Sequence, residues 1–400
     1  MITRTVLHID LNTYYVSVEI NENPSLKGLA VAVAGDEKKR GGVILTASYE
    51  ARKYGVKAGM SNRDAINLCP HLKMIPPRMS LYKEYSEKVM SILREYTYKV
   101  EQFSIDEAWL DISDLVNNNC NPNDIAFNIK EKIKKEVGVT VSVGISYNKV
   151  LAKLASDIAK KDSIYGIDRD KLKTVIWKKP VKDLFGVGSK TYAKLKTMNI
   201  YTIGDLAKSD KELIKTILKK PGVQLWEYAN GYDLSPVNYI KSYPKSIGNS
   251  HTFVKDITSK EEAKKMLLLI SEQVGLRLRN YRATASVISV AIKTSDFVSF
   301  TRQKSLQFTV CTTNRIYQEA CKILEENWDK TKAIRLLGVS LSNIKYYEEQ
   351  LSFSSIMNDK DFRDELVDIT MDNINKKYKK QIITRAILLE YHKMYSRRIE

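Results

Sequence analysis

The 400-residue chain is poor in residues that staple, coordinate or break structure: it holds 4 Cys, 4 His, 9 Pro and 17 Gly. Cys69, Cys120, Cys311 and Cys321 stand far apart, with no CxxC pair and no His at ligand spacing. That spacing excludes a disulfide framework and a structural zinc site, and the four read as ordinary buried or partly buried thiols. No run approaches the roughly 20 apolar residues needed to cross a bilayer, and the opening stretch reaches Asp10 too early for a signal-peptide core. A cytoplasmic protein with no membrane partner is expected. Negative charge is also short, since 47 Asp and Glu face 65 Lys and Arg, a formal net charge of +18.

With 43% hydrophobic and 28% charged residues, the chain can fill several cores, which excludes wholesale disorder. The positive excess is uneven: residues 1–150 carry +2, 151–250 carry +9, 251–345 carry +7 and 346–400 none. Cations spread over so long a stretch suit a nucleic-acid backbone better than one compact acidic partner.

Periodicity outlines the architecture. A strand over Val6–Leu11 leads into a helix through Val18, so an acid, Asp10, stands at a strand end. After a Gly/Lys-rich loop, Val43–Thr46 reads as a strand and Ser48–Tyr54 as a helix stopped by Gly55, in a small mixed unit closing near Pro76. A helix over Leu81–Tyr96, two strands within 100–112, a helix presenting Ile125, Ile129 and Ile133, a strand over Val141–Ile145 and a helix over Lys149–Lys160 follow a βαββαβ-like order. That order predicts a ferredoxin-like α+β sheet. Residues 174–236 turn mostly helical, and a basic connector precedes a second α+β unit with helices at 260–279 and 312–325 and strands at 286–292, 305–310 and 334–341. In the polar tail, Phe362, Leu366, Ile369 and Ile374 recur at helical spacing, which predicts a small helical appendage.

Chemistry concentrates at Ser104-Ile105-Asp106-Glu107. Neighbours on a flat strand point to opposite faces, so both acids serve one site only if the chain turns beside them. With such a turn, Asp10, Asp106 and Glu107 could converge on divalent cations, which favour oxygen ligands. Two such ions would activate a 3′-hydroxyl and stabilise a pyrophosphate leaving group. On spacing alone, adjacent acids also mark an ordinary solvated turn.

Five phrases taken together carry more. They are Asp10-Leu11-Asn12-Thr13-Tyr14-Tyr15-Val16-Ser17-Val18-Glu19, Thr46-Ala47-Ser48-Tyr49-Glu50-Ala51-Arg52, Ser104-Ile105-Asp106-Glu107-Ala108, Val143-Gly144-Ile145-Ser146-Tyr147-Asn148-Lys149 and Leu336-Leu337-Gly338-Val339-Ser340-Leu341. In this order and spacing the chain resembles a Y-family translesion DNA polymerase across residues 1 to about 345. The tail and the tryptophan after Ala108 resemble the damage-inducible, UV-damage-repair-like bacterial branch.

The resemblance implies an α+β, multidomain right-hand polymerase: a ferredoxin-like palm (1–11 and 78–173), small fingers (12–77), a helical thumb with a helix-hairpin-helix (174–237), a linker (238–245), an α+β little finger (246–345) and a tail (346–400). It also implies low-fidelity, template-directed synthesis past damaged bases from deoxynucleotides. Asp10, Asp106 and Glu107 match the metal triad, with the Leu11 backbone carbonyl as a further ligand, for two Mg2+ ions that Mn2+ can replace. Tyr15 matches the steric gate that leaves no room for a 2′-hydroxyl. Tyr14 is grouped with it as a nucleotide contact, although its residue type equally suits a core aromatic. Thr46, Tyr49, Arg52 and Lys160 match triphosphate contacts, and Tyr49 and Arg52 stand three apart on one helical face.

Asn12 and Thr13 depart from the family, which often has an acid and an aromatic there; altered packing near the nucleotide is expected, with Asn12 still able to donate a hydrogen bond. Gly186-Val187-Gly188 resembles the thumb's phosphate-binding turn. Gln350, Leu351 and Phe353 resemble a sliding-clamp-binding peptide, one residue short of the common five-residue form. The implied partners are primer–template DNA, a deoxynucleotide and a sliding clamp, the chain being a monomer that associates with the nucleoid when on DNA. Two other readings are a non-catalytic DNA-bound scaffold and a different two-metal enzyme such as a nuclease or cyclase.

Overall fold

Strand β1 (Val6–Leu11) sits at the centre of the first core because both of its faces are apolar except at Asp10 and His8. In a computed structural model of the chain, which describes residues 4–35, 42–118, 120–240, 243–346, 359–378 and 381–391, two compact units divide near residue 241.

In the first unit, α1 (Tyr14–Glu22) follows β1 directly. Then come β2 (Val31–Ala34), β3 (Ile44–Ala47), α2 (Tyr49–Lys53), α3 (Asn62–Leu68) and β4 (Lys73–Ile75). These strands form a separate three-stranded sheet, β3-β2-β4, over a core of small side chains including Ala32, Ala47, Ala51 and Ala65. The main sheet is completed by β5 (Val100–Gln102), β6 (Glu107–Asp111), β7 (Val141–Ser146) and β8 (Ile164–Ile167), in the order β5-β6-β1-β7-β8. Helices α4 (Met79–Tyr96) and α6 (Pro122–Val137), with the short α5 (Ser113–Asn117) between β6 and α6, cover the face that carries Leu7, Ile9 and Leu11. Helix α7 (Lys149–Ile158) covers the opposite face.

Alternation along the strand decides what α7 meets: Val6, His8 and Asp10 point one way, and their β6 partners Asp111, Trp109 and Glu107 point with them. Gly144 of β7 permits the packing, because a Cβ there would stand 1.9 Å from the Ala152 carbonyl oxygen and 2.4 Å from the Ser156 nitrogen. Only glycine lets α7 lie this close to the sheet.

Helices α8 (Arg169–Thr174), α9 (Ser189–Thr197), α10 (Ile203–Lys208) and α11 (Lys211–Ala229) build a helical module whose core takes in Val150, Leu151 and Leu154 of α7. Phe185, just before α9, packs on Trp109 and Phe103 of the main sheet, with ring centroids 6.1 and 5.8 Å away. The start of the expected linker is held as well: Glu101 accepts from the Asn238 N–H at 2.5 Å, and Tyr239 meets Tyr98 edge to face.

The second unit pairs β9 (Ser246–Ile257), β10 (Ala283–Thr294), β11 (Ser299–Val310) and β12 (Ile334–Tyr346) antiparallel in the order β11-β10-β12-β9. One face packs on α12 (Lys260–Asn280) and α13 (Thr313–Asn327). The other carries small polar groups and two cations, among them Ser289 opposite Ser340, with Lys293 and Arg335. The sequence reading lacked β2, β4, β8 and β9 and shortened β10, β11 and β12.

The tail forms helix α14 (Asp359–Lys377), but Leu366, 48% exposed, and Ile369, 39% exposed, do not dock it. Buried acids do. Asp368, 2% exposed, accepts from Arg279 at 3.1 Å, from Arg385 at 2.7 Å and from the Thr313 N–H at 2.7 Å, while Asp372 accepts from Arg279 at 2.7 Å. Leu388 then enters the core of this unit. Of the thiols, Cys69, Cys311 and Cys321 are buried and Cys120 is exposed, a loop position that periodicity could not assign. Removing one partner of a buried ion network leaves the others uncompensated, at about 3–5 kcal/mol. Asp368→Ala should lower this unit's unfolding free energy by about 3–5 kcal/mol, read as a fall in its urea midpoint by amide exchange in α12 and α13; an unchanged midpoint would contradict the account of how the tail is held.

Candidate active site

The carboxylates meet at one end of the main sheet. Asp10 lies directly opposite Glu107 in the β1–β6 register, so both side chains leave the same face. Asp106 precedes β6 in a tight turn: the Phe103 and Ser104 N–H groups both donate to the Glu107 carbonyl, and the Ser104 hydroxyl donates to Asp106 Oδ1 at 2.5 Å. The Leu11 N–H donates to the Asp106 carbonyl at 2.9 Å, which fixes the turn to the end of β1.

Partial burial and the neighbouring carboxylates of Asp106 and Glu107, partly offset by Lys153, push Asp10 up to about 7. Glu107 goes the other way, since His8 and Lys153 outweigh its burial and bring it to about 2. Its Oε2 accepts from Lys153 Nζ at 2.5 Å and lies 3.3 Å from His8 Nε2. Among the described residues, no group of three or more acidic, His or Cys side chains is gathered closely enough to hold a metal ion. The triad therefore shares one sheet end without being closed into a single cage. Its donors still suit a hard divalent cation, as they are carboxylate oxygens crowded with like charge around the half-buried Asp10.

His8 is fully buried and held from behind, where Ser156 Oγ lies 2.7 Å from Nδ1 and gives its own proton to the Lys153 carbonyl at 2.7 Å. Burial lowers the pKa of His8, against the opposing pull of Glu107, and Nε2 makes no hydrogen bond of its own.

Tyr15 stands beside Asp106, which together with burial raises its pKa. Its ring stacks on Tyr82, with centroids 4.5 Å apart and planes 19° apart. Tyr82 is tightly held: it is fully buried, and its hydroxyl donates to Glu19 Oε1 at 2.6 Å. Glu19 is in turn gripped by Arg78 through Nε at 3.0 Å and Nη2 at 2.5 Å, a bidentate pair. Tyr14 lies in the core, with its hydroxyl on the Tyr82 carbonyl, so of its two readings the structure favours the core aromatic over the nucleotide contact.

Thr46 is half-buried on β3. Ser48 caps α2, which begins at Tyr49, and the Tyr49 hydroxyl is raised by burial and by the charge of Asp10. Arg52 anchors its Nε on the Ala47 carbonyl at 3.1 Å and lies over the Tyr49 ring, which Lys161 also approaches at 5.0 Å. Lys160 is exposed, with its backbone carbonyl held by Ser142 and Ser163.

Asn12 does donate, but within the protein: its Nδ2 reaches Ser142 Oγ at 2.8 Å and its Oδ1 accepts from Thr140 Oγ1 and the Asp162 N–H. It ties β1 to β7 and to the Lys160 loop. Thr13 takes left-handed backbone angles, φ 46° and ψ 45°, where α1 begins. Gly186 has φ +91°, and α9 starts after Gly188 with no side chain capping its first N–H groups. Gln350, Leu351 and Phe353 lie outside the described residues. The sequence reading missed His8, Lys153, Glu19, Arg78 and Tyr82; only the i, i+3 spacing of Lys153 and Ser156 hinted at a shared face.

A sheet-borne acid cluster flanked by a small three-stranded module and a helical module, on a chain with a second α+β unit, is the architecture of a Y-family polymerase. The chain belongs to the impB/mucB/samB family, whose model matches residues 9–157 and whose C-terminal domain matches 244–353. A thumb-domain model described for DNA polymerase-iota matches 182–233. The chain is 38% identical over 390 residues to DNA polymerase IV of Acetivibrio thermocellus, covering 97% of this chain and 98% of that one. It is 36% identical over 392 residues to DNA polymerase IV 1 of Bacillus subtilis, covering 97% and 94%. A solved Y-family DNA polymerase chimera superposes with a TM-score of 0.78 at 26% identity, over 86% of this chain and all of that one.

A gate ring excludes a hydroxyl only if it cannot swing away. Tyr15→Ala should cut deoxy-over-ribonucleotide selectivity by about two orders of magnitude, and Tyr82→Leu, which removes only the backing, by about tenfold. Single-nucleotide incorporation with matched dNTP and rNTP reads both, and unchanged selectivity in Tyr15→Ala would remove the gate assignment.

Proposed function

We propose that the chain joins a deoxynucleotide to a primer 3′-hydroxyl with release of pyrophosphate, on templates that include damaged bases. It is a bacterial DNA-directed DNA polymerase of the translesion type, and its substrate is DNA. The observation that carries the detailed reading is the opposition of Asp10 and Glu107 across one antiparallel pair, with Asp106 in the adjoining turn and Tyr15 and Tyr49 drawn to the same end.

The family is divalent-metal dependent, and we assign two Mg2+ ions, replaceable by Mn2+, to Asp10, Asp106, Glu107 and the Leu11 carbonyl; when bound they would lower the barrier to 3′-hydroxyl attack and take up charge on the leaving group. The chain's own groups do the rest. Arg52, Lys160, Tyr49 and Thr46 hold the triphosphate through charge-assisted and hydroxyl donors. Tyr15, backed by Tyr82, selects the deoxy sugar. The uncapped first N–H groups of α9, after the Gly186–Gly188 turn, take a DNA phosphate, and the small polar face of β10 and β12 with Lys293 and Arg335 suits a sugar–phosphate backbone, giving affinity without base readout.

The three-stranded module supports tolerance of damage. Its core is built from alanines and few bulky groups, so it brings little mass to press on a nascent pair. With little closure to reward the correct pair, distorted bases pass and accuracy falls. The reaction places the protein where DNA is, in the bacterial cytoplasm.

Extension of a labelled primer on undamaged and abasic-site templates tests the reading. The chain should extend both, and Asp106→Ala should abolish extension while primer–template affinity stays within about twofold. Tight DNA binding without extension by the unaltered chain would point instead to the DNA-bound scaffold.

A further inference from the structure

Glu107 is held through one oxygen only. Oε2 takes both the Lys153 ammonium and the approach of His8, while Oε1 has neither contact. The two neighbours are unequal. Lys153 Nζ donates to Oε2 at 2.5 Å, whereas His8 Nε2, 3.3 Å from the same oxygen, makes no hydrogen bond. Among the described residues, Lys153 is therefore the donor that sets the orientation of Glu107. Its ammonium is 16% exposed, enclosed beside a carboxylate that is 13% exposed, where screening is weak. The helix that carries it is pressed onto the sheet at Gly144, which fixes the reach of the side chain to within the play of its own rotamers. Lys153 belongs neither to the acid triad nor to the triphosphate contacts.

We propose that Lys153 is a positioning residue for nucleotidyl transfer: it clamps Oε2 of Glu107 and so presents Oε1 to the divalent cation. The inference rests on the polymerase reading above. Groups that orient a ligating carboxylate typically contribute 10–100-fold to metal affinity.

Mn2+ binding to the complex of the full chain with dideoxy-terminated primer–template and dNTP, followed by electron paramagnetic resonance, reads this without turnover. Lys153→Met should weaken Mn2+ binding at least about tenfold and lower kcat in parallel, with the KM for dNTP and the affinity for DNA within about twofold. Lys153→Arg, which restores a donor of like charge, should recover most of both losses. Lys153→Gln is carried alongside, so that a folding failure of the Met variant does not remove the test. In a Glu107→Gln background, Lys153→Met should change Mn2+ affinity by less than about twofold, because it acts through Glu107. Mn2+ affinity unchanged in both Lys153→Met and Lys153→Gln would overturn the proposal, and so would an equal loss in the Glu107→Gln background. An unaltered chain that binds Mn2+ and dNTP but extends no primer would count against the polymerase reading and leave the clamp intact.

Discussion

Two carboxylates face each other across adjacent antiparallel strands with a third in the next turn, and the rest of the first unit manages that repulsion. Like charges at directly opposed positions destabilise a sheet. Here they are tolerated because Lys153 neutralises one of the pair, and because the crowding leaves Asp10 easily protonated until a cation arrives. The fold supplies each condition: alternation along β1 sends His8 and Asp10 to the α7 face, and Gly144 lets α7 come close enough to deliver Lys153. A site that is costly when empty and relieved by a cation has its metal dependence written into its electrostatics.

On the proposed reading of Tyr15, a second constraint is rigidity at the sugar. Tyr15 alone is an aromatic side chain with freedom to turn. Stacked on Tyr82, which Glu19 and Arg78 pin in turn, it becomes one end of a chain of contacts running from α1 to α4. Selectivity by exclusion depends on that chain as much as on the ring. Around it, the three-stranded module is light, and so sugar choice can be strict while base choice stays loose.

Much of this was legible in the sequence. Apolar spacing located β1, α4, α6, α7 and α12, since long periodic elements bury regular faces; Asp10, Asp106, Glu107, Tyr15, Tyr49 and Arg52 were named from their phrases. What escaped has physical reasons. Strand β8 is short and half-buried, and β9 carries polar residues at positions where a strand pattern expects apolar ones. The helix α14 was expected, but its docking could not be read from apolar spacing because it depends on Asp368 and Arg279, and buried ion networks leave no periodic signal. Lys153 and His8 were invisible for the same reason, their roles existing only in the register between β1, β6 and α7. Asn12, a departure from the family pattern, proved to be a tie between strands rather than a group facing the nucleotide.

The central claim is that one end of the main sheet binds the reacting groups. Its most direct test is anomalous scattering from Mn2+ in crystals of the chain with primer–template and a non-hydrolysable deoxynucleotide. The account predicts Mn2+ among Asp10, Asp106 and Glu107, with the triphosphate on Arg52 and Lys160 and the sugar against Tyr15. Mn2+ held elsewhere, with these three carboxylates still free of it, would contradict it.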